Sequence, residues 1–350
     1  MRTLRQTRSG VAKGQPPTAR FPAAAVGLAL PLVAALLVSA TACGTAPTIP
    51  DRVIYVTNQL DNTLSVIDGA TYRVVATVSV GNSPAGVAVS PDGAHAYIAQ
   101  GGDDAVSVLD TSTNTVATMV SLPPGSSPRG VAVSPNGQFL YVANGSSNSV
   151  AVLDTRTAKI VGSVPVGSQP VSVAVTPDGA SAYVANSGSN DVSVIDTQTN
   201  RVVRTVAAGQ FPAGVAVTHD GGSVYVANEL SANVTIINTR NGAVEATIPS
   251  GTAPFDVATS PTDNRAYLAD LGPGNLVVID TGARRISSTV TLGSSGTDPF
   301  NAAATRHAVY VTNQGANTLS VIDPHTLRVM TTVDTGSSPY AVAAVPGHDQ

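Results

Sequence analysis

The amino-acid sequence predicts an all-β fold, a seven-bladed β-propeller of four-stranded blades, and three observations support this prediction. A unit of 42 to 44 residues repeats along the chain. Each unit contains four short β-branched runs that are separated by turn residues. The chain also starts and stops partway through a unit, which is typical of a ring that closes on itself.

The repeat is visible in three residue types. The stretches YVTNQLDNTLSVID (55–68) and YVTNQGANTLSVID (310–323) differ at only two positions. One tyrosine recurs in every unit, at Tyr55, Tyr97, Tyr141, Tyr183, Tyr225, Tyr267 and Tyr310. A proline recurs with it, at Pro84, Pro128, Pro170, Pro212, Pro254, Pro299 and Pro339. An acid or amide follows the same spacing, at Asp68, Asp110, Asp154, Asp196, Asn238, Asp280 and Asp323. One repeat domain over residues 52–346 is therefore predicted.

The unit at residues 170–209 shows the four strands. PVSVAVTP comes first and ends at the turn pair Asp178-Gly179; AYVAN, VSVID and RVVRTVAAG follow. Each run is rich in β-branched residues and is bounded by Gly, Asn, Asp or Ser, which is the pattern of strands joined by tight turns. Four strands in each of seven units predict the blades of a propeller.

The two ends of the chain predict how the ring closes. The first run, RVIYVTN, is the second strand of a unit, and the last run, PYAVAAVPG, is a first strand. We therefore expect the strand near residues 340–345 to pair with the strand near residues 53–57. Such closure removes the exposed sheet edges that promote aggregation.

These motifs also carry a family resemblance. YVTN at 55–58 and 310–313, YVAN at 141–144, 183–186 and 225–228, and PAGVAVSPDG at 84–93 are similar to the YVTN repeat of YncE-like secreted propellers and surface-layer proteins. The resemblance implies a propeller over about residues 52–346. It leaves function open, because members of this family serve as surface-layer, binding and cofactor-associated proteins.

Residues 1–42 have a different composition. Five basic residues and no acidic residue precede an uncharged apolar stretch that ends in Ala40-Thr41-Ala42. This pattern predicts a secretory signal peptide. VSATACG resembles a bacterial lipobox, with Ala40 where that motif prefers Leu, and Ala40-x-Ala42 also fits ordinary signal-peptidase cleavage.

Lipidation is the favoured outcome for Cys43. Ordinary cleavage would leave Cys43, the only cysteine, as a thiol without a pairing partner. We expect an exported protein that is lipid-anchored at the cell membrane and faces outside, with secretion as the alternative. Residues 43–51 then form the anchor and a short tether, and residues 347–350 form a tail.

The charge balance limits the partners. Beyond residue 42 the chain carries thirteen basic and twenty-two acidic residues, and Lys159 is its only lysine. Sequence-independent nucleic-acid binding requires many phosphate-neutralising cations, so it is excluded. The expected partner is a small molecule, a glycan or an envelope protein, and the expected state is a monomer that contacts the membrane only through its anchor.

The repeated residues are interpreted as architecture. Each repeated tyrosine is expected to fill the gap between adjacent blades. The asparagine that ends YVTN or YVAN is expected to cap the following loop, and Asp68 and its equivalents are expected to accept turn hydrogen bonds.

Candidate site residues are sought where the units differ. The residues after the repeated proline and at the end of the second strand are expected to surround the central opening on one face. Phe255, Phe300 and Tyr340 come from three successive units and should form one aromatic arc. The predicted ligand site comprises Phe255, Phe300, Tyr340, Arg129, Asp256, Asn301 and Asp270. The alternative is that the aromatic side chains only plug the channel.

Acidic residues occur over the same arc. The four carboxylates of a metal-site hypothesis are Glu229, Asp256, Asp270 and Asp298. Convergent carboxylates suit Ca²⁺, although the sequence has no loop motif with fixed ligand spacing. The alternative is solvated surface carboxylates, and no organic cofactor is predicted.

Catalytic motifs are missing from the sequence. His95, His219 and His307 fall in turns on the face opposite the predicted site, and no nucleophile–base motif occurs. The favoured function is therefore a non-catalytic binding or scaffolding propeller with its ligand at the channel face. The alternatives are a metal-dependent, lactonase-like hydrolase or lyase that uses the acidic arc, and a structural surface-layer component.

Overall fold

A computed structural model describes residues 53–294 and 296–345, and every regular element in this part is a β-strand. The strands form seven antiparallel sheets of four strands each, which confirms the predicted all-β propeller. No apolar helix of membrane-spanning length occurs among these residues. The predicted signal peptide, Cys43, the tether and the tail lie outside the described residues.

The strands are numbered in chain order, and each blade runs from its innermost strand at the channel to its outermost strand. Blade 1 consists of β28 (Pro339–Ala344), β1 (Val53–Asn58), β2 (Thr63–Asp68) and β3 (Arg73–Ser79), and blade 2 consists of β4 (Pro84–Val89), β5 (His95–Gln100), β6 (Ala105–Asp110) and β7 (Thr115–Ser121). Blade 3 consists of β8 (Pro128–Val133), β9 (Phe139–Asn144), β10 (Ser149–Asp154) and β11 (Lys159–Pro165), and blade 4 consists of β12 (Pro170–Val175), β13 (Ser181–Asn186), β14 (Asp191–Asp196) and β15 (Arg201–Ala207). Blade 5 consists of β16 (Pro212–Val217), β17 (Ser223–Asn228), β18 (Asn233–Asn238) and β19 (Val244–Pro249). Blade 6 consists of β20 (Pro254–Thr259), β21 (Arg265–Asp270), β22 (Asn275–Asp280) and β23 (Arg285–Thr291). Blade 7 consists of β24 (Pro299–Ala304), β25 (Val309–Asn313), β26 (Thr318–Ile322) and β27 (Val329–Asp334).

The turns form for the reasons that the sequence indicates. Between β12 and β13, the carboxylate of Asp178 accepts hydrogen bonds from the Thr176 hydroxyl (2.5 Å) and from the amide of Ala180 (2.9 Å). Gly179 has a φ of 72°, a conformation that glycine adopts without a Cβ penalty. The turn between β14 and β15 depends on Asp196, which accepts from the amide (2.8 Å) and hydroxyl (2.7 Å) of Thr199. Asp68 and its equivalents are thus confirmed as turn residues.

The repeated tyrosines lie between blades, as predicted. Tyr55 is fully buried and packs against Val87 and Ile98 of the next blade. Its hydroxyl group donates to the Asn114 side chain at 3.2 Å. Each interface between blades therefore has its own apolar core, and the seven clusters of buried side chains follow one another around the ring.

The asparagine that ends each second strand has a different role from the predicted loop cap. Asn186 is fully buried, and its amide nitrogen donates to Asp191 (2.7 Å) and Ser193 (2.9 Å) on β14. Asn58, Asn228 and Asn313 make the same kind of contact with the third strand of their own blades. The side chain thus fastens the second strand to the third, because both partners point to the same face of the sheet.

Closure of the ring is confirmed. β28 pairs antiparallel with β1, with Tyr55 opposite Ala343 and Val56 opposite Val342. The amide of Ala341 donates to the Thr57 hydroxyl (2.9 Å), which itself donates to the carbonyl of Ala85 in blade 2 (2.7 Å). The threonine of the first YVTN motif therefore connects the last strand of the chain, the first strand and the neighbouring blade.

Candidate functional site

A central cavity of about 200 Å³ is lined by residues of the innermost strands of all seven blades. Its wall is built from small and apolar side chains around most of the circumference, with Ala213, Val171 and Val215 as examples. The wall differs at blades 6, 7 and 1. There Phe255, Phe300 and Tyr340 follow the repeated proline.

The structure brings these three aromatic side chains together. The ring centroids of Phe255 and Phe300 are 3.9 Å apart, and those of Phe300 and Tyr340 are 4.6 Å apart. Phe300, the central ring, is 8% exposed, whereas Phe255 and Tyr340 are half-buried. The 4.6 Å separation lies in the usual range for aromatic pairs, and the tilted Phe255–Phe300 pair is closer still. The expected arc is thus formed, with Phe300 as its buried base and two partly open rings beside it.

Arg129 of blade 3 faces this arc across the opening and is exposed. Its positive charge acts on the hydroxyl group of Tyr340. Burial raises the pKa of Tyr340, and the nearby Arg129 cation offsets part of that rise. Arg129 therefore contributes a positive charge to the channel mouth near Tyr340, the last ring of the arc.

A layer of polar groups lies beside the arc. The carboxylate of Asp256 accepts hydrogen bonds from the side-chain amide of Asn301 (2.7 Å) and from the backbone amide of Ala302 (3.1 Å). The carbonyl oxygen of the Asn301 side chain accepts in turn from the amide of Val342 (2.9 Å). The two side chains thus form a chain of hydrogen bonds across blades 6, 7 and 1.

Asp256 is an unusual carboxylic acid. It is surrounded by protein on most sides, although part of its surface borders the cavity. Burial raises its pKa from 3.8 to about 7, against the opposing effect of the backbone amides of Ala302 and Val257. Gly214 of blade 5 provides the space, since a Cβ at this position would lie 2.5 Å from a carboxylate oxygen of Asp256.

The structure places Asp270 outside the residues that line the channel cavity. It is 1% exposed and accepts hydrogen bonds from the backbone amides of Thr252 (3.2 Å) and Ala253 (2.8 Å) in the loop before β20. It occupies the position at which Asn186 and Asn228 end the second strand of other blades. Its buried side-chain oxygens are satisfied by loop amides, so Asp270 holds this loop in place.

The four predicted metal ligands are not assembled into a metal site. Among residues 53–294 and 296–345, no three His, Cys, Asp or Glu side chains form a group that could hold a metal ion. Asp256 pairs with Asn301, and Asp270 binds loop amides. Asp298 has a φ of 49° in the loop before β24, and burial raises the pKa of Glu229 beside β17. The four carboxylates are neighbours in the sequence pattern, but no three of them come together in the part of the chain that the structure describes.

A second cavity on the same face was missed. It has a volume of about 510 Å³ and lies between blades 3, 4 and 5, with Arg129 and Val171 shared with the channel. Phe211, Gln169 and Ser187 also line it. One signal was available in the sequence, because Phe211 precedes a repeated proline where three other units have Ser83, Ser127 and Ser338.

His219 and His307 lie in turns, as predicted, whereas His95 is the first residue of β5 and His348 lies outside the described residues. His219 is exposed in the turn between β16 and β17 and lines a cleft of about 360 Å³ together with Asp220, Arg265 and Arg284. Both arginines are engaged, Arg265 with Asp263 (3.6 Å) and Arg284 with Glu245 (2.6 Å). None of the four histidines among the described residues, His95, His219, His307 and His325, lines the channel cavity.

Two family models match parts of the chain. Residues 47–160 match a model described as lactonase, 7-bladed beta-propeller, and residues 180–270 match one described as YNCE-like beta-propeller. Among curated proteins, the PE-PGRS family protein PE_PGRS18 of Mycobacterium tuberculosis (strain ATCC 25618 / H37Rv) is 57% identical over 42 residues. That match covers 12% of this chain and 9% of the relative's length.

Solved structures share the fold at low identity. Hydrazine synthase of Kuenenia stuttgartiensis superposes with a TM-score of 0.68 at 22% identity, over 76% of this chain and 96% of that one. A functionally unknown protein from Desulfotomaculum acetoxidans DSM 771 gives 0.72 at 15% identity, over 84% and 99% of the two chains. The dihydro-heme d1 dehydrogenase NirN gives 0.63 at 19% identity, over 83% of this chain and 64% of that chain. The blades, the family models and these structures together identify the chain as a seven-bladed β-propeller with lactonase-like and YncE-like segments.

Proposed function

We propose that this propeller is a binding protein that holds a small organic molecule with a flat ring at the mouth of its channel. The observation that carries the proposal is the arc of Phe255, Phe300 and Tyr340, which borders the cavity at three successive blades. Apolar pockets with a few convergent polar groups are the usual form of a small-molecule site.

The chemistry of the mouth supports a planar ligand. Phe255 and Tyr340 leave part of their rings open, and each aromatic contact contributes about 0.5–1.5 kcal/mol beyond the apolar area it buries. Asn301 and Asp256 are held by each other and by backbone amides, so they form a rigid polar wall beside the arc. A preorganised wall of this kind loses little side-chain entropy on binding.

Thermal unfolding with a panel of probes tests this proposal. We expect flavin mononucleotide or 2-naphthalenesulfonate to stabilise the full-length protein, since a ligand that binds only the folded state adds about 2.7 kcal/mol at one hundred times its Kd. Neutral saccharides and divalent cations serve as the comparison set. Phe255→Ala should weaken the binding of the planar probes, with a Kd at least about tenfold higher. The loss of a buried aromatic contact of this size costs more than about 1.4 kcal/mol of binding free energy.

Phe139→Leu is the matched control, because Phe139 is a half-buried ring at the start of β9 and does not line the channel. It should leave the response to the planar probes intact. If no planar probe raises the unfolding temperature, the aromatic side chains only plug the channel. The proposal would then be abandoned for a protein partner or a structural surface-layer role.

A lactonase-like hydrolase is the second candidate, and the family match over residues 47–160 favours it. Asp256 is the acid that such a reaction would use, because its pKa of about 7 lets it exchange a proton near neutral pH. Hydrolysis of a panel of lactones, with and without added divalent cations, distinguishes this candidate. Turnover that survives in Phe255→Ala but not in Asp256→Asn would establish it.

We further propose that the propeller is exported and held outside the cell membrane by a lipid on Cys43. The support is the basic and apolar leader with Ala40-Thr41-Ala42 directly before the only cysteine. Cys43→Ala is expected to move the protein from the membrane fraction to the medium. Cys43→Ala protein that stays with the membrane would contradict the anchor, and wild-type protein in the medium would favour secretion by ordinary cleavage.

A further inference from the structure

The cleft between blades 3, 4 and 5 differs in chemistry from the aromatic arc. It opens on the same face and has a volume of about 510 Å³, but short polar side chains line most of it. Ser146 comes from the loop after β9, Ser168 and Gln169 from the loop before β12, and Ser187 from the loop after β13. Loops from two blades thus present hydroxyl and amide groups to one space.

Several of these groups have no partner within the protein. In the part of the chain that the structure describes, no hydrogen bond engages the hydroxyl groups of Ser146 and Ser168 or the side-chain amide of Gln169. The backbone amides of these loop residues do have partners. The amide of Gln169 donates a hydrogen bond to the Asn148 side chain (2.8 Å), and the amide of Ser168 donates one to the Ser189 hydroxyl (3.0 Å). The loops are therefore held in place while their side chains stay open to a ligand.

Arg129 supplies the charge at one end of the cleft. Its Nε and Cδ atoms lie over Gly145, where a Cβ would be 3.2 Å from Nε, so any larger residue at 145 would displace the arginine. The ion pairs found among the described residues involve Arg265 and Arg284, not Arg129. A planar guanidinium without a carboxylate partner suits a bidentate contact with a ligand carboxylate.

Phe211 forms the other end. Its φ of 55° is the same left-handed conformation that Ser83, Ser127 and Ser338 adopt before their own prolines. For a bulky residue this conformation is unfavourable, and here it is held by the hydrogen bond from the Phe211 amide to Asn190 (2.8 Å). The backbone conformation of this turn is therefore common to several repeat units, whereas the half-buried aromatic ring is a feature of this cleft.

We infer that this cleft is a binding site for an acidic saccharide, distinct from the site on the aromatic arc. The sugar carboxylate pairs with Arg129, the hydroxyl groups bond to the unpaired serine and glutamine side chains, and the apolar face of a sugar ring packs on Phe211. A neutral saccharide satisfies only part of this arrangement, and a fully apolar ligand leaves the polar groups unpaired, which costs binding free energy.

Titration calorimetry of the full-length protein with trigalacturonic acid tests this inference, with the neutral galactose trisaccharide as comparison. We expect the acidic trisaccharide to bind at least tenfold more tightly than the neutral one. Arg129→Gln should remove this preference. Gln169→Ala and Phe211→Ser should weaken both saccharides; serine at 211 keeps the residue that three other units use before their proline.

Two further variants separate this site from other effects. Arg156→Gln removes an exposed positive charge from the turn after β10, away from the cleft lining, and should leave saccharide binding unchanged. Phe255→Ala should weaken planar aromatic probes but not trigalacturonic acid, so failure at the arc and failure in the cleft are distinguishable. Equal affinity for the acidic and neutral trisaccharides, or unchanged binding of the acidic one in Arg129→Gln, would overturn the inference.

Discussion

Removing the last strand should abolish the fold: a chain that ends at residue 338 is expected to be unfolded or aggregated at 25 °C. This truncation deletes β28, which pairs with β1, and it removes buried Ala341, Val342 and Val345. The loss of these side chains and of the strand ladder exceeds about 5 kcal/mol, since each buried aliphatic side chain contributes about 1.5–3 kcal/mol. Natural domains have only about 5–15 kcal/mol in total.

Circular dichroism and size-exclusion chromatography of the truncated chain measure this effect. A chain that ends at residue 345 is the matched control, because it retains all of β28 and the hydrogen bond from the amide of Val345 to the carbonyl of Val53 (2.9 Å). The control should unfold at the same temperature as the complete chain. A soluble monomer with an unchanged melting temperature after truncation at 338 would show that ring closure is dispensable.

Asp256→Asn should stabilise the protein at pH 8 by about 2–4 kcal/mol. The pKa of Asp256 rises from 3.8 to about 7 on folding, and this rise corresponds to about 4 kcal/mol at a little over 1.3 kcal/mol for each pKa unit. Asparagine keeps an acceptor oxygen for Asn301 and Ala302 but carries no charge. The substitution thus removes the unfavourable burial of a carboxylate and leaves its hydrogen bonds in place.

The effect has a defined pH dependence. A carboxyl group with a raised pKa binds its proton more tightly in the folded state, so wild-type stability falls as pH rises from about 4 to about 7. Above about pH 7 the carboxylate is charged in both states and the loss is complete. The difference between Asp256→Asn and the wild type should therefore be largest at pH 8 and should vanish near pH 4.

Urea unfolding at pH 5, 6, 7 and 8 checks this prediction. Asp196→Asn is the matched control, because hydrogen bonds from the Thr199 hydroxyl and amide lower the pKa of Asp196 in its turn. That variant should gain no stability at any of these pH values. Equal stability of wild type and Asp256→Asn at pH 8 would mean that Asp256 is not held in a charge-destabilising environment.

Asp270 and Asp256 show how much of the site can be predicted from residue patterns. Both acids depart from the residue type of the other units at their positions, so both were sensible candidates in the sequence. In the structure, Asp270 is fully enclosed by the loop before β20, whereas Asp256 borders the channel and pairs with Asn301. Departure from a repeat identifies an unusual residue but not the direction in which its side chain points.

The architecture of this protein could be predicted from the amino-acid sequence. Period, turn residues and strand patterns are local properties, and the incomplete units at the two ends require pairing between them, so the seven blades and their closure were predictable. The aromatic arc was also predictable, because residues at equivalent positions of successive units must be neighbours in a ring.

The polar contacts of the channel face could not be predicted in this way, because they form between blades. The hydrogen bonds that Asn301 donates to Asp256 and accepts from the amide of Val342 cross three blades, and the cleft at Phe211 is formed by loops from blades 3, 4 and 5. Such contacts depend on side-chain directions and loop conformations, and a repeat pattern does not contain that information. The polar chemistry of this face is therefore a property of the assembled ring and not of any single unit.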